Sequence, residues 1–162
     1  MGELKFALAD KAQKEKIVWQ AREWIMFCAK TIDAQMPGFW SDIFSSAQHL
    51  FDSHVSTSDD PIIQEKVTLQ KLLPVGFIAT KSTVPAVTVM VGPNFTEDEI
   101  EYRIIRTPHR KETPIENSGR LRIVLDDAGE LCAKREEHLY GTPQQVAEFL
   151  LDPLLRVLPQ RH

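Results

Sequence analysis

Apolar residues in the first third of the chain recur at the spacing of a helix. They follow one another at alternating steps of three and four residues: Val18, Ala21, Ile25, Cys28 and Ile32. This spacing places them on one face of a helix, so the pattern predicts that the face packs against a core. We expect Asp10 to cap the helix at its N-terminus and Pro37-Gly38 to end it, because proline cannot extend a helix.

Two more helices are predicted before residue 74. The second begins with Ser41 as its N-cap and ends near Val55. Asp60-Pro61 starts the third, over residues 62–73, with aspartate as the cap and proline in the first turn. Within this third segment, Val67-Thr68-Leu69 is also compatible with an extended strand, so both interpretations stay open.

After Pro74 the pattern changes to short apolar or alternating runs, which are typical of strands. We expect five strands separated by turn residues, at positions 75–80, 86–91, 99–107, 120–125 and 130–140. The connections are too short for parallel crossovers, so the sheet is expected to be antiparallel. Thr142-Pro143 then begins a C-terminal helix, with Gln145 completing a capping box.

The predicted fold class is therefore α+β. An antiparallel sheet of about five strands is covered by N-terminal helices and one C-terminal helix, in the order ααα-βββββ-α. The 162 residues are enough to bury a core, and no repeat or change in composition divides them, so residues 1–162 are expected to form a single domain. Because the helices cover one face of the sheet, the other face is either solvated or available to a partner.

Composition and charge narrow the class of function. The net charge of −4 disfavours nucleic-acid binding, which depends on a basic excess. Cys28 and Cys132 are too few and too far apart for a disulfide scaffold, so we expect two buried free thiols in a reducing compartment. No stretch is apolar enough to act as a signal peptide or to span a bilayer, which favours a cytoplasmic protein without a membrane partner.

A basic cluster lies before and inside the long connection predicted between residues 107 and 119. Its members are Arg103, Arg106, His109, Arg110 and Lys111. Arginines in such a cluster could bind a phosphate, a carboxylate or an acidic protein segment, and connections of this length are often functional. The alternative is a mobile, solvated loop whose charges offset the acidic residues at positions 97–101.

Histidines and aromatic rings supply the other candidate residues. His138 could belong to a polar site at a strand end, or could simply be part of a polar edge strand. Phe39 and Trp40 follow the predicted helix break and could remain exposed there as a binding surface, whereas Trp19 and Trp24 are expected in the core.

No metal site is expected from the remaining histidines. His49 and His54 are five residues apart on the predicted second helix, so their side chains point in different directions, unlike a zinc-binding pair four residues apart.

The chain contains no nucleophile elbow and no glycine-rich phosphate loop. We therefore expect a non-catalytic binding or interaction protein, homodimeric, that binds a protein partner or a small ligand against its sheet. The alternative is a small, metal-independent enzyme acting on an anionic substrate. In that case His109 or His138 would provide acid–base catalysis, and Arg106 and Arg110 would hold the substrate. No cofactor is expected in either case.

Overall fold

The computed structural model describes residues 2–56, 66–72 and 75–158. Two helices pack on one face of an antiparallel sheet. The helices are α1, Gly2–Ser56, and α2, Pro143–Leu155. The strands are β1 Val67–Lys71, β2 Phe77–Lys81, β3 Ala86–Asn94, β4 Glu99–Thr107, β5 Ile115–Leu125, β6 Leu131–Arg135 and β7 His138–Tyr140.

The sheet is a simple meander in which each strand pairs with the next along the chain. All six pairings are antiparallel. The predicted α+β class, with an antiparallel sheet and helices at both ends, is thereby confirmed. The prediction of five strands is wrong, because the described residues form seven.

Two local differences account for the extra strands. The segment Val67–Lys71 is β1 and not the end of a third helix, which confirms the extended alternative for that stretch. The predicted strand at 130–140 is two strands, because the chain turns at Glu136, whose φ is 54°. The predicted helix start at Asp60-Pro61 lies outside the described residues.

The predicted first and second helices are one continuous helix that passes through Pro37-Gly38. Both residues are exposed, and so is Asp33, whose carbonyl loses its intrahelical donor to the proline. On either side of the proline, Met36, Phe39 and Trp40 are buried. Burying each contributes about 1.5–3 kcal/mol. Together this exceeds the cost of about 3 kcal/mol for an interior proline.

Because α1 begins at Gly2 and continues to Ser56, Asp10 and Ser41 lie inside it and do not act as N-caps. The predicted order of three N-terminal helices is wrong for the same reason. The capping box of α2 is confirmed: the Thr142 hydroxyl accepts from the Gln145 amide at 3.2 Å, and the Gln145 side chain accepts from the Gly141 amide at 2.7 Å. Pro153 lies within α2 and does not restart it.

The core lies between the helices and one face of the sheet. Strand residues of this face alternate with exposed ones, as in β4, where Ile100 and Ile104 are buried beneath the helices. The second half of α1 runs across the sheet, with Trp40 stacked on Phe77 of β2 at a centroid distance of 5.9 Å. The buried residues of α1 are Ile32, Met36, Phe39, Trp40, Ile43, Ala47 and Phe51.

The width of the sheet limits how much of α1 it covers. Seven strands spaced by about 4.8 Å span roughly 29 Å. The helix from Ile32 to Phe51 has a similar length, about 29 Å at 1.5 Å per residue. The residues of α1 before Ile32 therefore extend beyond the sheet, and all those described from Leu8 to Phe27 are exposed.

A pair of leucine substitutions tests this placement of the core. Leu150 in α2 is 1% exposed and Leu139 in β7 is 55% exposed. We expect Leu150→Ala to lower the free energy of unfolding by about 2–5 kcal/mol, because it leaves a cavity. Leu139→Ala should change it by less than about 0.5 kcal/mol. Urea unfolding of both variants at one protein concentration measures the difference, and equal losses would contradict the assignment.

Candidate interaction surfaces

The N-terminal half of α1 carries most of the exposed apolar surface. We call residues 8–31 the projecting segment. Eight of its large apolar side chains are between 51% and 65% exposed: Leu8, Ile17, Val18, Trp19, Trp24, Ile25, Met26 and Phe27. From Ile17 to Phe27 these side chains point in all directions around the helix axis. A helix that packs on one side and faces solvent on the other carries polar residues on its solvent side. Between Ile17 and Phe27 this segment has no side that is polar throughout.

The aromatic predictions are therefore reversed. Trp19 and Trp24, expected in the core, are exposed, and Trp24 stacks on the ring of Phe27 at 5.7 Å. Phe39 and Trp40 are the sequence-based candidates for an exposed surface at a helix entrance. Both are buried, because α1 has no break at Pro37-Gly38. The sequence itself indicates this exposure, because a helix that packs against a core on one side does not need apolar residues on every side.

The face of the sheet opposite the helices is polar and its charges are paired. Arg103 donates to Glu116 on the neighbouring strand, and Arg120 lies 3.6 Å from the carboxylate of Glu99. Glu101 accepts a hydrogen bond of 3.2 Å from the side chain of Asn94. This face therefore offers charged and polar groups to solvent, not an apolar surface.

An open groove of about 730 Å³ crosses this polar face. The residues that line it include Leu72, Val75, Met90, Arg103 and Arg120. The groove could take an extended polar ligand, but it does not bring a histidine close to the arginines.

The structure divides the predicted basic cluster. Arg103 lies on the polar face with Glu116, whereas Arg106 lines a small cavity of about 160 Å³ beside α2. His109, Arg110 and Lys111 are exposed in the connection between β4 and β5. That connection spans only residues 108–114, because β5 already begins at Ile115. The loop predicted over residues 107–119 is therefore wrong in its second half.

His138 belongs to a cluster of rings at the β7 edge of the sheet. Its ring lies 4.6 Å from that of Tyr140, which lies 4.9 Å from that of Phe149 in α2. The guanidinium of Arg135 stands over the Phe149 ring at 4.7 Å. Burial lowers the pKa of Arg135, but hydrogen bonds and charge at Tyr102 and Tyr140 outweigh this effect, so the pKa is raised overall.

Two aspartates meet where α1 passes the start of β4. Burial raises the pKa of Asp98. The neighbouring carboxyl group of Asp33, by its charge and by a side-chain hydrogen bond, and the charge of Glu97 raise it further. The Oδ1 atom of Asp98 is buried and has no hydrogen-bond partner within the described part of the chain. The ionised form of this carboxyl group is therefore disfavoured in the folded chain.

The described residues include one buried charged side chain, Lys81 at the end of β2. Its ammonium group donates to the carbonyls of Thr83 and Pro85 at 2.9 and 2.8 Å, which fixes the turn before β3. Burial lowers the pKa of Lys81. Both cysteines are free thiols, and only Cys132 is buried, since Cys28 is partly exposed on α1.

Residues 2–56, 66–72 and 75–158 contain no group of three or more histidine, cysteine, aspartate or glutamate side chains that could hold a metal ion. Within the same residues, no helix combines the length and the apolar character needed to cross a bilayer.

Comparison with protein-family models, with curated proteins and with solved structures gives no match for this chain.

Replacing the carboxyl group of Asp98 is expected to stabilise the fold by an amount that depends on pH. A carboxyl group whose pKa is higher in the folded than in the unfolded chain favours folding at low pH, where it is protonated. This contribution to stability is lost as the pH rises through the pKa of the folded state. Asp98→Asn should therefore raise the urea midpoint at about pH 7, and the gain should shrink as pH falls towards the ordinary aspartate value of 3.8.

Asparagine also tolerates the positive φ of 54° at this position, so the substitution adds no backbone strain. Asp127→Asn, on an exposed turn, is the matched control and should leave the midpoint unchanged at both pH values. A loss of stability at neutral pH in the Asp98 variant would contradict this account.

Proposed function

We propose that this chain is a non-catalytic interaction protein that forms a homodimer through the projecting segment of α1. The observation that carries the proposal is the exposure of eight large apolar side chains on one continuous helical segment. Isolated exposed apolar residues are ordinary, but contiguous apolar patches above a few hundred Å² mark interaction sites.

The exposed apolar surface is large enough to contribute to an interface. Side chains of this size that are more than half exposed contribute about 100 Å² each. Eight of them give roughly 800 Å² around the helix axis, and the side that faces one partner helix supplies about half of this area.

The pattern of the segment supports a second copy of the chain as the partner. Val18, Ala21, Ile25 and Cys28 continue, at alternating steps of three and four, the stripe that reaches the core at Ile32. This spacing forms the seam between paired helices. The charges of residues 8–28 are close to balanced, so two copies meet without strong repulsion: Lys11, Lys14, Lys16 and Arg22 against Asp10, Glu15 and Glu23.

Light scattering coupled to size-exclusion chromatography tests the homodimer. We expect a wild-type mass of about twice 18.5 kDa at micromolar concentration. Val18→Glu/Ile25→Glu places two charges in the proposed seam and should give a folded monomer, because burying unpaired carboxylates is costly.

Gln13→Glu/Gln20→Glu is the matched control. It adds the same charge to the same helix, on the side opposite the seam, and should remain a dimer. Circular dichroism and urea unfolding check that each variant keeps the core. A wild-type monomer, or equal dissociation of both double variants, would overturn the proposal.

A cytoplasmic location remains a prediction from the sequence. The alternative of a small enzyme also remains a prediction, and the placement of its residues offers no specific support. Arg106 lies beside α2, and Arg110 and His109 lie in the exposed loop.

A further inference from the structure

The first half of β5 has a partner strand on one side only. Residues Ile115 to Arg122 pair with β4, whereas pairing with β6 begins at Arg122 and continues to Leu125. The chain turns after Arg135, so β6 ends before it reaches the first half of β5. Within the described residues, no strand pairs with the outer edge of residues 115–121. We call this stretch the open edge.

The direction of the backbone groups follows from two hydrogen bonds. The Ile123 amide donates to Asp98 on the β4 side at 2.9 Å, and the Asp126 amide donates to Glu130 on the β6 side at 2.8 Å. Backbone groups alternate along a strand, and the register with β4 is continuous from Ile115 to Arg122. The amide and carbonyl groups of Glu116, Ser118 and Arg120 therefore point away from β4, along the open edge.

The open edge lacks three of the usual protections of an edge strand, although it carries the charged side chains of Glu116 and Arg120. Residues 115–121 include neither a proline nor a lysine, and no bulge interrupts their pairing with β4. An unpaired edge of this kind can accept an additional strand, whose main chain supplies the hydrogen bonds.

The helix-facing side of the open edge has a preformed aromatic floor. Tyr102 lies across Gly119 so closely that a Cβ atom on this glycine would collide with the tyrosine ring and hydroxyl. The Tyr102 ring makes an edge contact with Phe149 at 5.5 Å, and Arg135 lies over the same Phe149 ring. Alternate side chains of an added strand would pack on this floor.

The charge around the open edge is opposite to that of the whole chain. Residues 103–122 contain six basic side chains and two acidic ones. Arg103 is paired with Glu116 and Arg120 with Glu99, and Arg106 lies beside α2. Arg110, Lys111 and Arg122 remain, against Glu112. The whole chain has a net charge of −4. A basic surface beside an unpaired strand edge selects an acidic strand.

We infer that the open edge of β5 binds an extended acidic peptide from a partner protein by strand addition. The peptide backbone pairs with Glu116, Ser118 and Arg120, and its carboxylates face Arg110, Lys111 and Arg122. This inference is independent of self-association through the projecting segment, which lies on a different element.

Fluorescence anisotropy of the full chain with a labelled short peptide tests the inference. The peptide alternates glutamate and valine, and two matched peptides serve as controls. One replaces glutamate by lysine, and the other carries N-methyl groups on alternate amides, which removes backbone donors without changing charge. Only the unmodified acidic peptide should bind, and its affinity should fall as salt is raised.

Ser118→Pro removes one outward amide and leaves the hydrogen bonds with β4 intact, so it tests the open edge without breaking the sheet. We expect it to weaken binding at least about tenfold, equivalent to about 1.4 kcal/mol. Arg110→Glu/Lys111→Glu leaves the strand unchanged and should weaken binding and reduce its salt dependence. Lys16→Glu/Lys30→Glu makes the same change of charge on α1 and should have no effect.

Four results would overturn the inference. The first three are no binding of the acidic peptide, equal binding of the N-methylated peptide, or unchanged binding by a folded Ser118→Pro variant, and the last two of these would indicate attraction by charge alone. The fourth is a Ser118→Pro variant that is monomeric without any peptide while the wild type is a dimer, because the occupant of the edge would then be a second copy of the chain.

Discussion

The contact between one helix and one face of a sheet determines the rest of this structure. The sheet is wide enough to cover α1 from Ile32 to Phe51, and the burial of Met36, Phe39 and Trp40 keeps the helix continuous through Pro37. Because the helix continues while the sheet ends, about half of α1 has no core to pack against. The apolar character of that half then becomes a surface property, and the proposed dimer is its consequence.

The open edge of β5 arises in the same way, because β5 is longer than the part of it that pairs with β6. β4 and β5 pair over eight residues of each strand, from Glu99 to Arg106 and from Ile115 to Arg122, whereas β6 pairs with β5 over only four. The difference leaves backbone groups of β5 without a strand partner, next to the basic residues of the β4–β5 connection. Both surfaces therefore arise where one element is longer than the element that covers it.

Strong local patterns predicted their elements well. The strand predicted at residues 99–107 coincides with β4, whose residues alternate between a face buried beneath the helices and an exposed face. The cap at Thr142 was also predicted, because it depends on neighbouring residues alone. The predicted break at Pro37 is wrong, because burial in the folded chain outweighs a local preference.

The candidate site was harder to predict because it depends on which face each residue occupies. Arg103 and Arg106 are close in sequence, but residues three apart on a strand lie on opposite faces. The side-chain contacts beside the open edge join residues that are distant in sequence, such as Tyr102 of β4 and Gly119 of β5. Spacing along the sequence could not reveal the open edge, since it depends on where β6 turns.

Hydrogen exchange measured by mass spectrometry at high and low protein concentration tests the central claim most directly. A helical segment without tertiary contacts is marginally stable in water. Amides of residues 8–28 should therefore exchange slowly at a concentration that favours the dimer and rapidly on dilution, while residues 32–56 stay protected throughout. Rapid exchange of residues 8–28 at every concentration, or slow exchange that does not respond to dilution, would contradict the account.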